Sequence, residues 1–178
     1  MKKVLVVIDM QNDFVDGSLG SKEAVAIVDN VVNKINGFNG EIIVTYDTHF
    51  NNYMETREGK YLPVSHCIKD TDGWQLNDKV QKALDARERY TIIHKPTFGS
   101  TELVDIIREY WDGKNNIEVT LIGLCTDICV VSNAMLLKAN YPEMNIVVDA
   151  SCCAGVAVES HNAALTTMKM CQINVVGE

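Results

Sequence analysis

Short apolar runs alternate along the chain with stretches whose apolar residues recur every three or four positions. Val4–Ile8 is a continuous aliphatic run, the pattern of a strand covered on both faces. Ala24, Ile27, Val28, Val31 and Ile35 then share one helical face that stops before Gly37. Glu41–Thr45 reads as the next strand. Leu76, Val80, Ala83 and Leu84 make a short helical stripe, followed by a strand at Tyr90–His94. Leu103, Ile106, Ile107 and Tyr110 form another helical face, and Ile117–Ile122 another strand. Ile128, Val131, Met135 and Ala139 lie at roughly helical spacing and lead to Pro142. Asn145–Val148 and Ile173–Val176 are the last strands, with a helix over Glu159–Met170 between them.

This alternation predicts an α/β protein: a three-layer, Rossmann-like sandwich with about six mostly parallel strands and helices on both faces. The 178 residues suit one domain spanning 1–178, and no internal repeat or low-complexity tract interrupts it. The longest irregular stretch, Asp47–Gly73, has a length that usually signals function. In such folds sites gather beyond the carboxyl ends of the strands. Asp9, Asp47 and Lys95 follow the first three strands, and Gly123–Cys129 follows the fourth.

Composition narrows the partners. Hydrophobic residues at 47% and charged residues at 22% are ordinary globular values. A net charge of −8, with no cluster of Lys and Arg interleaved with aromatics, argues against a nucleic-acid partner. The apolar run Val4–Ile8, stopped by Asp9, is too short for a signal core or a membrane span. Six cysteines without a secretory signal are expected to be reduced thiols in a cytoplasmic protein.

Two groups of residues suggest chemistry. Cys129 follows Thr126 and Asp127, which read as N-cap residues of the next helix. A thiol in a helix's first turn feels the positive dipole end, which favours the reactive thiolate. Lys95 nearby would lower its pKa further, and Asp9 is placed to take or give the proton. The alternative is that Cys129 is a small core residue, with Asp9 and Lys95 merely turn residues. In the second group, Asp47-x-His49 puts two metal-capable groups on one side of an extended segment, and His66 can close the site from across the loop. One carboxylate and two imidazoles suit Zn²⁺, Mn²⁺ or Fe²⁺. The alternative is a turn-capping Asp47 with surface histidines. Cys125-x₃-Cys129 matches neither a zinc ribbon nor a Cys-x-x-Cys redox motif, and Cys67, Cys152, Cys153 and Cys171 are expected in the core or on the surface.

Taken in order, VVIDMQNDF (6–14), YDTH (46–49), LPVSHC (62–67), KPTFGSTEL (95–103) and GLCTDICV (123–130) resemble the isochorismatase-like cysteine hydrolase superfamily, its nicotinamidase branch most closely. The resemblance implies a catalytic triad of Asp9, Lys95 and Cys129, with Cys129 rather than Cys125 as nucleophile. It implies a cis bond before Cys125, and an oxyanion hole made by the amides of Cys125 and Cys129. It also implies metal ligands Asp47, His49 and His66, holding a divalent ion: zinc first, with manganese or iron as alternatives. The implied activity is hydrolysis of nicotinamide to nicotinic acid and ammonia through a thioester, the metal holding the pyridine nitrogen. Isochorismate-cleaving members lack the nucleophilic cysteine, so Cys129 speaks against that reaction.

Nicotinamidases usually carry Trp or Phe three residues before the last His ligand. Here Leu62 precedes Pro63, with one extra residue before His66, so Tyr61, Phe14 and Phe98 are the candidate aromatic walls. Glu58 is a possible fourth ligand, although a solvated surface carboxylate is the expected reading. The rival functions are hydrolysis of another small amide, such as a ureide or carbamoyl compound, and non-catalytic binding of a small molecule. A homo-oligomer is expected.

Overall fold

The computed structural model describes residues 1–110 and 117–178. Strands β1 (Lys2–Ile8), β2 (Glu41–Asp47), β3 (Thr91–Lys95), β4 (Ile117–Leu124), β5 (Asn145–Ala154) and β6 (Asn174–Val176) form one sheet. Their order is β3-β2-β1-β4-β5-β6, and every neighbouring pair runs parallel. The helices are α1 (Asn12–Val15), α2 (Lys22–Gly37), α3 (Arg57–Tyr61), α4 (Asp78–Asp85), α5 (Thr101–Tyr110), α6 (Val131–Asn140) and α7 (Val158–Met170). No helix of the described residues is long and apolar enough to cross a membrane.

The central strand explains the layers. Val4, Val6 and Ile8 belong to one core with Leu103 and Ile107 of α5, Leu137 of α6 and Leu165 of α7. Leu5 and Val7 belong to the other, with Val28, Val31 and Ile35 of α2 and Val80 and Leu84 of α4. Alternate residues of a strand face opposite sides of the sheet, so burial on both sides requires the unbroken apolar run. The expected three-layer α/β sandwich is the observed one.

Boundaries differ where polar residues continue an element. β2 runs on to Asp47, which is in register with Lys95 at the end of β3. Gln11 satisfies the Asp47 backbone from outside the strand: its Nε2 donates to Asp47 O at 2.9 Å and its Oε1 accepts from Asp47 N at 2.7 Å. β4 reaches Leu124 and β5 reaches Ala154, and these two residues pair. Leu76 lies outside α4, in an antiparallel bridge with Gln11, and α4 opens instead at Asn77, whose Oδ1 accepts from Lys79 N at 3.1 Å. The stretch Asp47–Gly73 is not structureless: it holds α3 and a turn of 3₁₀ helix at Tyr53–Glu55.

The chain order reverses between β1 and β4. In doubly wound sheets, the crevice beyond the carboxyl ends of the two strands at such a switch point is the binding site.

Candidate active site

Asp9 leaves β1 with a left-handed backbone, φ +49°, and is fully buried. Its N–H donates to Thr45 O at 3.1 Å, and the Thr45 hydroxyl donates to its Oδ1 at 2.6 Å. Lys95 Nζ sits 2.6 Å from Asp9 Oδ2 and 3.4 Å from Cys129 Sγ, and also donates to Thr97 O at 3.1 Å. The structure therefore brings Asp9, Lys95 and Cys129 together from three different strand ends.

Cys129 arrives by an unusual turn. Gly123 has φ +115°, and a Cβ there would lie 2.0 Å from Ile8 O, so only glycine lets β4 approach the end of β1 this closely. The Leu124–Cys125 peptide is cis, and residues Thr126–Val130 then form a single π turn. Ile128 N and Val130 N both donate to Cys125 O, at 3.1 and 3.0 Å. Asn133 Nδ2 donates to Cys129 O at 2.8 Å, and its Oδ1 accepts from Ser100 N at 2.9 Å.

The capping role expected of Thr126 and Asp127 is not found, because both side chains turn away from α6. Thr126 Oγ1 shares a 2.8 Å hydrogen bond with His161 Nδ1, and the Asp127 carboxylate accepts from Val156 N.

The expected depressed thiol pKa is also reversed. Burial pushes the Cys129 thiol well above its ordinary value, the Asp9 charge adds to this, and Lys95 does not offset both. Burial likewise raises Asp9 above the ordinary carboxylate value, against the pull of Lys95. Burial opposes charge on Lys95 too, but Asp9, Cys129 and Asp47 outweigh it and hold the ammonium above the usual lysine range. Burial thus disfavours the thiolate, while its acidic neighbours favour the charge on Lys95.

A second cluster adjoins the first. His49 Nε2 lies 3.0 Å from Asp47 Oδ2 and 3.6 Å from Glu58 Oε1, and His66 Nε2 lies 3.5 and 3.7 Å from the same two oxygens. A tetrahedral ion with bonds of about 2.0–2.2 Å separates its ligand atoms by about 3.4 Å, so these spacings fit a metal. Two observations agree. His49 Nε2 is buried without a hydrogen-bond partner, and His66 commits Nδ1 to Val64 O at 2.8 Å, which leaves Nε2 to ligate. Burial disfavours the Asp47 carboxylate, but His49, His66 and Lys95 outweigh it and hold it below the usual range.

Glu58 departs from its expected place as a solvated surface group. Thr56 caps α3 by accepting from Gly59 N at 3.0 Å, and this short helix places the half-buried Glu58 carboxylate against both imidazoles.

Cys129, Cys125, Asp47, Glu58 and His66 all line one cavity of about 1000 Å³. Phe14 walls it from the inside, its ring 5.4 Å from that of His66. Leu62 and Phe98 line it from more exposed positions, and Tyr61 stands at the rim, 80% exposed, with the Arg57 guanidinium 5.4 Å from its ring.

Residues 3–177 match the Isochorismatase domain. The chain belongs to the isochorismatase family. An uncharacterised isochorismatase family protein, PncA, of Bacillus subtilis is 32% identical over 178 residues, covering 93% of each chain. The crystal structure of nicotinamidase/pyrazinamidase PncA from Bacillus subtilis superposes with a TM-score of 0.84 at 26% identity, covering 99% of this chain and 100% of that one. The pyrazinamidase of Pyrococcus horikoshii in complex with zinc gives a TM-score of 0.82 at 26% identity, covering all of both chains.

Several residues of this isochorismatase-family site escaped sequence reasoning. Gln11 clamps Asp47, and Asp13 Oδ2 accepts from Cys67 N at 2.7 Å, which fixes the backbone next to His66. A signal existed for these two, since a polar run directly after a doubly buried strand sits at the carboxyl edge of the sheet. Tyr53 had none: its ring packs 4.7 Å from His49 and 5.0 Å from His66 only because the loop folds back.

Proposed function

We propose that this protein is a metal-assisted cysteine amidohydrolase acting on nicotinamide. The observation that carries the reading is that Cys129 lines the same cavity as Asp47, Glu58 and His66, three members of the cluster that His49 completes. The names of the matching proteins, nicotinamidase and pyrazinamidase, point to the same class of aromatic amide.

In this mechanism the substrate's carbonyl carbon meets the neutral Cys129 thiol. Asp9 accepts the thiol proton as sulfur attacks, and the Lys95 ammonium offsets the charge on the sulfur. The amides of Cys125 and Cys129 stabilise the tetrahedral oxyanion, a contribution of roughly 3 kcal/mol per donor in comparable sites. Asp9 returns the proton to the departing ammonia, and water then hydrolyses the thioester to the free acid. Phe14, Leu62 and Phe98 confine the ring. A divalent metal held by Asp47, His49, His66 and Glu58, zinc being the first choice, supplies a Lewis acid for a ring nitrogen when bound.

An amide panel assayed for ammonia release tests this. Nicotinamide and pyrazinamide are expected to be the best substrates. Turnover of ureides or carbamoyl compounds, with none of a pyridine amide, would replace the reading with the other-amide alternative.

A further inference from the structure

We infer that His161 is a positioning residue for the nucleophile turn, acting through Thr126 to set the backbone amides of Cys125 and Cys129. This rests on the amidohydrolase reading for its kinetic consequence, but the contacts stand on their own. The π turn Thr126–Val130 links the two amides, and it begins without a side-chain cap. Its first residue, Thr126, is fully buried, and a buried hydroxyl needs a partner. That partner is His161 Nδ1 at 2.8 Å.

The residue that carries the imidazole is itself held. His161 N donates to Ala157 O at 2.9 Å in the first turn of α7, and Gly155 packs so tightly on it that a Cβ there would lie 2.8 Å from His161 Cβ. Beside this contact, both oxygens of Asp127 accept from Val156 N at 3.1 Å. Two consecutive residues of the nucleophile turn thus grip the entry to α7 at two points. Asn133 holds Cys129 O from the opposite side. The turn is clasped between α6 and α7, and on the α7 half it is the His161 side chain that hydrogen-bonds the turn. Misplacing reacting groups by about 1 Å can cost ~10² in rate, so loosening the clasp affects turnover more than binding.

The test compares His161→Leu, His161→Asn, Thr126→Val and the Leu/Val double variant by steady-state kinetics and by hydrogen exchange at the Ile128 and Val130 amides. Asn keeps a polar atom near the position of Nδ1. For His161→Leu, kcat on nicotinamide should fall ~30-fold or more with KM within ~3-fold, and exchange in the turn should quicken ~10-fold while β1 is unchanged. His161→Asn should recover to within ~5-fold of wild type. The double variant should be no worse than the poorer single one, as for two halves of one contact. Native kcat and native exchange in His161→Leu would overturn the inference, as would fully additive losses in the double variant. If His161→Leu does not fold, the near-isosteric Thr126→Val carries the same expectations. A wild type that cleaves no amide in the panel overturns the function instead, and exchange in the turn then decides the clasp alone.

Discussion

Lys95 reaches from the end of β3 past β2 to place its Nζ 2.6 Å from Asp9 Oδ2, beyond the end of β1. The same nitrogen lies 3.4 Å from Cys129 Sγ and 3.5 Å from Asp47 Oδ1. One buried ammonium therefore neighbours the proposed base, the proposed nucleophile and the first residue of the metal-capable cluster. Removing it would leave three acidic groups packed together without a counter-charge, so Lys95 joins structure to chemistry.

Cys129→Ala and Asp9→Ala should each lower turnover by ~10⁴ or more, because neither half of a nucleophile–base pair works alone. Circular dichroism should show both variants folded. Cys125→Ala should stay within ~10-fold of wild type, since its backbone amide is unchanged. An inactive Cys125→Ala beside an active Cys129→Ala would reverse the assignment of the nucleophile.

Protein purified without chelator should carry one divalent transition metal per chain by elemental analysis. His49→Ala and His66→Ala should lose it, and Glu58→Gln should bind it ~10-fold more weakly, because Glu58 faces both imidazoles. Full activity in a metal-free preparation would remove the metal from the mechanism.

A site that binds a ring nitrogen rejects an analogue lacking it by ~10⁴, because its own partner is left unsatisfied. Nicotinamide should therefore be cleaved far faster than benzamide, with most of the difference lost on chelation. Leu62→Trp, at the cavity wall, should lower KM for nicotinamide. Equal rates on the two amides would end the ring-orientation idea.

The base must be ionised to accept the thiol proton, and burial raises Asp9 above its ordinary value of 3.8. A raised pKa means that protonation begins at higher pH as acid is added. The acid limb of kcat/KM should accordingly lie above pH 3.8, with activity present above it and lost below it. A pH–rate profile flat down to that value would contradict the assignment of Asp9.

Gln11→Leu should leave the Asp47 N–H and C=O without their side-chain partner, at a cost of about 1–3 kcal/mol. Thermal or urea unfolding measures that loss. Metal affinity should fall ~10–100-fold, as expected when the support of a ligand is removed.

What was legible in the sequence follows a physical division. Val4–Ile8 could be read because burial on both faces writes itself into one continuous run. The carboxyl ends of β2 and β5 could not, because their polar residues are satisfied from far away. Gln11 serves Asp47 from 36 positions off, and Lys34 meets Asp149 from 115 positions off, at 2.6 Å. Asp9 and Lys95 stood out at strand ends and Cys129 in the first turn expected of a helix, and their meeting was implied by the resemblance. Thr126 and Asp127 have the chemistry of helix caps, and only their hydrogen bonds to His161 and Val156 show them committed elsewhere. The direction of the Cys129 pKa depends on burial that no local spacing encodes.

That burial also decides how the thiol ages. Peroxides and alkylating reagents attack thiolates, and Cys129 is 4% exposed with its thiol pKa pushed up by burial. Burial therefore works against wear of the proposed nucleophile, because it disfavours the thiolate that such reagents consume.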